Sequence, residues 1–274
     1  MLAALIIVFR EVFEAGLIVG IVLAVTRAVA GRSWWISGGV AGGVLGACIV
    51  AAFAGALSAA FSGIGQELFN AAVLGLAVVM LTWHNVWMAR HGRELAAEMR
   101  AAGEAVVKGR SSLAALAIVV GVATLREGAE VVLFLYGILA SGGTSAPSVF
   151  LGGVLGLGLG ALVCALAYLG LLRIPGRHLF AVTSAMIAFL AAGMAAQAVL
   201  FLAQADVLTA FDNVMWDTSW LLSEDSVVGK ALHTLIGYND RPTGMQIVVY
   251  LAVLLIMFVL MRVFAPEPKA ATAH

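Results

Sequence analysis

Long apolar runs recur along the chain, separated by short polar breaks. A helix crossing the hydrocarbon core of a bilayer needs about 20 mostly apolar residues. Seven runs meet that length: Leu2–Val25, Ile36–Phe61, Leu68–Met88, Leu113–Leu139, Val149–Leu172, Leu179–Gln204 and Gln246–Phe264. The pattern predicts an all-α polytopic membrane protein with seven transmembrane helices. Two connecting stretches are longer than the rest. Arg90–Arg110 is polar and charged and can continue as helix, whereas Ala205–Met245 is acidic and holds aromatic residues. The first run lacks a basic leader and carries charges in its middle, so it reads as a mature helix rather than a signal peptide.

Composition agrees. The 274 residues are 63% hydrophobic and 11% charged, where soluble domains carry about 25% charged residues. Net charge is zero, which implies no nucleic-acid partner. Cys48 and Cys164 lie far apart in Gly-rich apolar runs and read as small packing residues.

The basic residues orient the helices. Arg27, Arg32, Arg90, Arg93, Arg100, Lys108, Arg110, Arg173, Arg177, Arg262 and Lys269 all fall in alternate loops and the tail, while the opposite loops hold Lys230 and Arg241. Excess Lys and Arg marks the cytoplasmic side. The N-terminus is therefore expected outside and the C-terminus in the cytoplasm. The outer face then receives Glu67, Asp206, Asp212, Asp217, Glu224, Asp225 and Asp240, an acidic surface that concentrates cations.

The last two basic residues are Arg10 and Arg126, inside apolar runs. Each begins an Arg-Glu-x-x-Glu cluster: Arg10, Glu11 and Glu14 in helix one, Arg126, Glu127 and Glu130 in helix four, offset by 116 residues. Helices two and five echo each other through Gly38-Gly39-Val40 and Gly152-Gly153-Val154. Helices one to three and four to six thus read as two copies of one unit. A unit with an odd number of spans inserts upside down the second time, which is the inverted-repeat plan of many secondary transporters. The expected organisation is a single membrane domain: repeat one over 1–90, a cytoplasmic loop over 90–111, repeat two over 112–204, an external loop over 205–245 and a last helix over 246–264.

At 3.6 residues per turn, the three charged side chains of each cluster share one helix face. Counting a rise of about 1.5 Å per residue from each run's end places both clusters in one layer, slightly outside the midplane. Charged groups at that depth cost roughly 2.5–3.5 kcal/mol each on insertion scales, so they must face a cavity or each other. An internal salt bridge is the structural alternative, but it needs no second glutamate per helix. Four carboxylates against two guanidiniums leave excess negative charge for a hard cation, and oxygen ligands alone do not choose among Fe³⁺, Mg²⁺, Ca²⁺ and Mn²⁺.

The strings Phe9-Arg-Glu-Val-Phe-Glu-Ala-Gly and Leu125-Arg-Glu-Gly-Ala-Glu-Val-Val, with His84-Asn-Val-Trp-Met88, Trp216-Asp-Thr-Ser219 and Gly237-Tyr-Asn-Asp-Arg-Pro, resemble the oxidase-dependent iron transporters, the high-affinity iron permeases. The resemblance spans essentially the whole chain. It implies iron as transported substrate with no permanent cofactor, and Glu11, Glu14, Glu127 and Glu130 as metal residues with Arg10 and Arg126 supporting them. It also implies a multi-pass location in the cytoplasmic membrane, and separate oxidase or peroxidase and iron-delivery proteins outside. Transport of Mn or Pb is the nearer alternative. A glutamate-dependent intramembrane enzyme is the more distant one, since such enzymes pair adjacent glutamates with several histidines.

Three further residues are candidates for entry or exit. Asp217 is the pick among the acidic loop residues, with a solvated loop as the plain reading. Glu67 lies at the outer mouth or simply at a solvated helix end. His84 is read as an interfacial residue of an aromatic belt with Trp83 and Trp87, near the cytoplasmic end of helix three, with an exit ligand as its functional alternative. His91, His178 and His274 read as ordinary cytoplasmic-side residues, and His233 is left open.

Overall fold

The structure is a computed structural model describing residues 1–60, 65–142, 144–170, 176–208, 210–224 and 226–264. Arg173, Asp225, Lys269 and His274 lie outside the described residues, as do the side chains of Arg93, Arg177 and His178 and the predicted ends of helix two at Phe61 and helix five at Leu172.

The described residues form α1 (Leu2–Val25), α2 (Arg32–Ala60), α3 (Gln66–Val107), α4 (Leu113–Ala140), α5 (Ala146–Tyr168), α6 (Gly176–Gln204), α7 (Val227–Ile236) and α8 (Gly244–Val263). Five of them, α2, α3, α5, α6 and α8, are long and apolar enough to cross a bilayer. This is a multi-pass membrane protein. The remaining long helices, α1 and α4, have 24 and 28 residues, and each carries one charged cluster in its middle.

Helix three continues beyond the apolar run that ends at Met88, the continuation that the Arg90–Arg110 stretch allows. It runs through most of the expected loop to Val107, 42 residues in all, because Glu94–Ala105 is rich in Ala, Glu, Leu and Met, which favour helix without help from packing. The acidic stretch after α6 contains α7, capped by the Ser226 hydroxyl accepting from the Gly229 N–H at 2.9 Å and closed by Gly237 at φ +68°. Thr243 and Gln246 form a reciprocal capping box that starts α8.

Glycine stripes set the helix pairing. A Cβ on Gly152, Gly156 or Gly160 of α5 would meet Met1 O at the N-cap of α1 at 2.2 Å, and Leu5 O at 2.5 Å and Val12 Cγ1 at 2.8 Å on α1 itself. On α2, a Cβ on Gly39 or Gly43 would meet Ala117 O at 2.4 Å and Gly121 O at 2.6 Å on α4. Small residues every fourth position let backbones approach this closely. Residue numbers rise together along both contacts, so α5 runs parallel to α1 and α4 runs parallel to α2. The third pairing is α3 with α6, which also receives α8.

Apolar packing divides into two clusters. One joins Ala4 and Ile7 of α1 to Leu74 and Leu81 of α3, Phe134 of α4, Ile187 of α6 and Met257 of α8. The other joins Ile18 and Val22 of α1 to Met99 of α3 and Leu116 and Val120 of α4. Arg10, Glu11 and Glu14 of α1, His84 of α3, and Arg126, Glu127 and Glu130 of α4 fall between these two clusters. The fold thus holds a polar layer between two apolar plugs.

Candidate metal centre

Three helices supply the polar layer. On α1, Arg10, Glu11 and Glu14 share a face and are all at most 2% exposed. Their i,i+4 spacing brings Arg10 Nε to 2.8 Å from Glu14 Oε1, and Arg10 Nη1 lies 3.9 Å from Glu11 Oε1. The same spacing on α4 sets Arg126 Nε 3.2 Å from Glu130 Oε1 and 3.9 Å from Glu127 Oε1. The two arginines differ in setting. Arg10 is sealed, whereas the Arg126 side chain is 37% exposed and its guanidinium lies over the Trp87 ring of α3.

His84 of α3 stands between the two clusters. Its Nε2 lies 3.7 Å from Glu11 Oε2 and 3.3 Å from Glu14 Oε2, and its Nδ1 faces Glu130 Oε2. One donor atom each from Glu11, His84, Glu127 and Glu130 lies within 4.8 Å of the others. Glu14 is outside that quartet and is the partner of Arg10. Many of these close approaches lack hydrogen-bond alignment: both oxygens of Glu11 and Glu14, both nitrogens of His84, and Oε2 of Glu127 and of Glu130 are buried without a hydrogen-bond partner. Buried polar groups are normally satisfied. Arg10 Nε and Nη1 are unsatisfied there too, but the carboxylate oxygens outnumber them, and several unsatisfied acceptors around one point suit a cation, which can take several lone pairs at once.

This corrects the reading of His84 as a residue of an interfacial aromatic belt. It is 3% exposed and at the heart of the site. Ending helix three at Met88 had put residue 84 near a terminus; in a helix that continues to Val107 it is interior. Trp83 does face outward, at 72% exposure. Next to His84, Asn85 is fully buried and donates from Nδ2 to Ser184 O of α6 at 3.2 Å. Two adjacent polar side chains inside an apolar run, with Trp87 one turn on, were the available sequence signal.

Asp217 and Glu67 do not join these residues. Glu67 is exposed in the first turn of α3. Asp217 Oδ2 pairs with Arg241 Nε at 3.0 Å and its Oδ1 accepts from the Ser219 N–H at 2.9 Å. The Ser219 hydroxyl and N–H, then Arg241, hold the Asp217 carboxyl below its ordinary value. The stretch around it is a knit structure rather than a loose acidic loop. Met215 N–H donates to Pro242 O at 3.0 Å, Thr218 N–H to Asp240 O at 2.9 Å, and Glu224 N–H to Asp240 Oδ2 at 3.0 Å. His233 Nδ1 lies 2.8 Å from Tyr238 O and 3.0 Å from Glu224 Oε1. Glu224, His233, Asp240 and Arg241 help line a cavity of about 890 Å³ at the N-terminal ends of α1 and α5; neither Asp217 nor Glu67 lines it.

Comparison with known proteins gives a consistent answer. The family described as Iron permease FTR1 matches residues 1–269. A ferrous iron permease EfeU of Escherichia coli O6:K15:H31 is 34% identical over 212 residues, covering 76% of this chain and 74% of that protein. The ferrous iron permease EfeU of Shigella flexneri is 33% identical over 210 residues, covering 76% of this chain and 87% of that protein. No solved structure matches the chain.

Proposed function

The chain belongs to the iron permease FTR1 family, and from that premise we propose that it imports iron across the cytoplasmic membrane through the glutamates of α1 and α4. The observation that carries this reading is the meeting of two clusters 116 residues apart in sequence at one buried, unsatisfied, acceptor-rich point. Glu11, Glu127 and Glu130 offer oxygen to the ion directly. Glu14 joins them when Arg10 swings aside, and the arginines hold the empty site's negative charge in check.

Seven spans follow from α1 and α4 crossing with the five apolar helices. Helix packing supports two inverted repeats. Met1, Leu5 and Phe9 approach the α5 glycines, while Ala117, Gly121 and Leu125 approach the α2 glycines. These sets are offset by 116 residues, the offset of the clusters themselves. Since α4 runs with α2, and residues 26–31 turn α1 back into α2, α4 runs opposite to α1, as an inverted copy would. With the basic loops on the cytoplasmic side, the N-terminus would lie outside and the C-terminus in the cytoplasm. The cavity at the N-terminal end of α1 becomes an outer vestibule. A separate oxidase or peroxidase and an iron-delivery protein would present the metal there.

The test is radio-iron uptake into proteoliposomes, comparing wild type with Glu14→Gln and Glu130→Gln. Each variant is expected to lose at least tenfold in initial rate. Undiminished uptake in correctly inserted variants would remove the carboxylate pathway.

A further inference from the structure

Two of the groups facing the glutamates are arginines, which can only donate hydrogen bonds. The third, His84, can instead coordinate a metal through a neutral ring nitrogen. It is buried, with Nε2 3.3 Å from Glu14 Oε2 and Nδ1 against Glu130 Oε2, so both ring nitrogens face carboxylate oxygens. A clamp between α1 and α4 would account for its approach to Glu14 and Glu130. It would not account for Glu11 and Glu127 turning unpartnered oxygens toward the same point. Carboxylate and imidazole bonds to a first-row divalent ion such as Zn²⁺ are about 2.0–2.2 Å, so donors on opposite sides of one such ion stand about 4.3 Å apart. The quartet of Glu11, His84, Glu127 and Glu130, within 4.8 Å, is close to that span. Glu14 is occupied with Arg10.

Resting on the iron-transport reading above, we propose that His84 is a direct ligand of the transported ion, and that its nitrogen sets the preference for Fe²⁺ over Mg²⁺, Ca²⁺ and Mn²⁺. Carboxylates alone suit those hard ions as well as iron, whereas imidazole suits Fe, Ni, Cu and Zn. Three carboxylates supply the charge that any divalent ion needs. The one nitrogen supplies discrimination, because the affinity order places Fe²⁺ above Mn²⁺ and a softer donor widens that gap. His84 is well placed for this role, since α3 is the helix that touches both repeats' clusters.

The experiment measures Fe²⁺ and Mn²⁺ uptake side by side in proteoliposomes holding the full chain, as wild type, His84→Gln and His84→Glu. The Fe²⁺:Mn²⁺ rate ratio is expected to fall at least tenfold in both variants, with Mn²⁺ uptake persisting in His84→Glu. A ratio unchanged from wild type overturns the proposal. A second measurement needs no variant: pulsed EPR of Mn²⁺ bound to the wild-type chain, restricted to the fraction that Fe²⁺ displaces. Nitrogen coupling from imidazole is expected there, and its absence also overturns the proposal. Wild-type liposomes that carry neither ion would sink the transport reading itself, and this one with it.

Discussion

The Arg126 guanidinium rests over the Trp87 ring, 4.4 Å from its centroid. Trp87 lies one turn beyond His84 on α3, so one helix engages both ends of the second cluster: Arg126 through Trp87 and Glu130 through His84. A contact of this kind contributes roughly 0.5–2 kcal/mol. Trp87→Leu should free Arg126 to wander from Glu130 and slow iron uptake by about threefold to tenfold. Trp87→Phe, which keeps a ring face, should retain most of the rate. Initial uptake rates at saturating iron distinguish the two.

Arg10 has no such outlet. Removing a buried charge partner leaves its mate uncompensated and typically destabilises by about 3–5 kcal/mol. Arg10→Met should therefore lower the thermal unfolding temperature of the detergent-solubilised chain markedly. Adding Glu14→Leu should recover most of that loss, because the orphaned carboxylate is gone. Arg126→Met should be milder in the same assay, since solvent reaches that site.

The glycine stripes make a packing prediction. Gly156→Leu or Gly43→Leu inserts side chain where a bare Cβ already meets backbone at 2.5 or 2.6 Å, and no rotamer relieves a clash at Cβ. Each should destabilise by more than the ~1–3 kcal/mol typical of overpacking. Gly158→Ala on the other face of α5, where nothing lies within 4 Å, should be silent. Thermal unfolding of the three variants checks the contrast.

His233 supplies a pH dependence. Its hydrogen bond with Glu224 raises its pKa above the ordinary histidine value. A raised folded-state value means the contact stabilises fully below the unfolded pKa of about 6.5. That stabilisation is lost as pH rises through the raised value. Hydrogen exchange in α7 and residues 210–224 should therefore be slower at pH 6 than at pH 8, after correction for intrinsic rates. Glu224→Gln should remove most of the difference.

Much of this protein is written in its sequence. Apolar runs of bilayer length must become helices, since no other open structure satisfies its backbone in lipid. The i,i+4 spacing of Arg10 with Glu14 and of Arg126 with Glu130 fixes which side chains share a face, and that is local geometry. Tertiary structure decided the rest. The partner of each helix depended on glycine stripes that match between α1 and α5 and between α2 and α4, a property of two surfaces together. His84 lies 73 residues beyond Glu11 and 46 before Glu130, so its polar neighbour Asn85 could mark it as unusual but its spacing could not say which groups it meets. Only the packing of α3 against α1 and α4 drew it into the carboxylates. Which glutamates face a common point, and which one stays with its arginine, is a question of three helices meeting at one depth, and no single helix period contains that information.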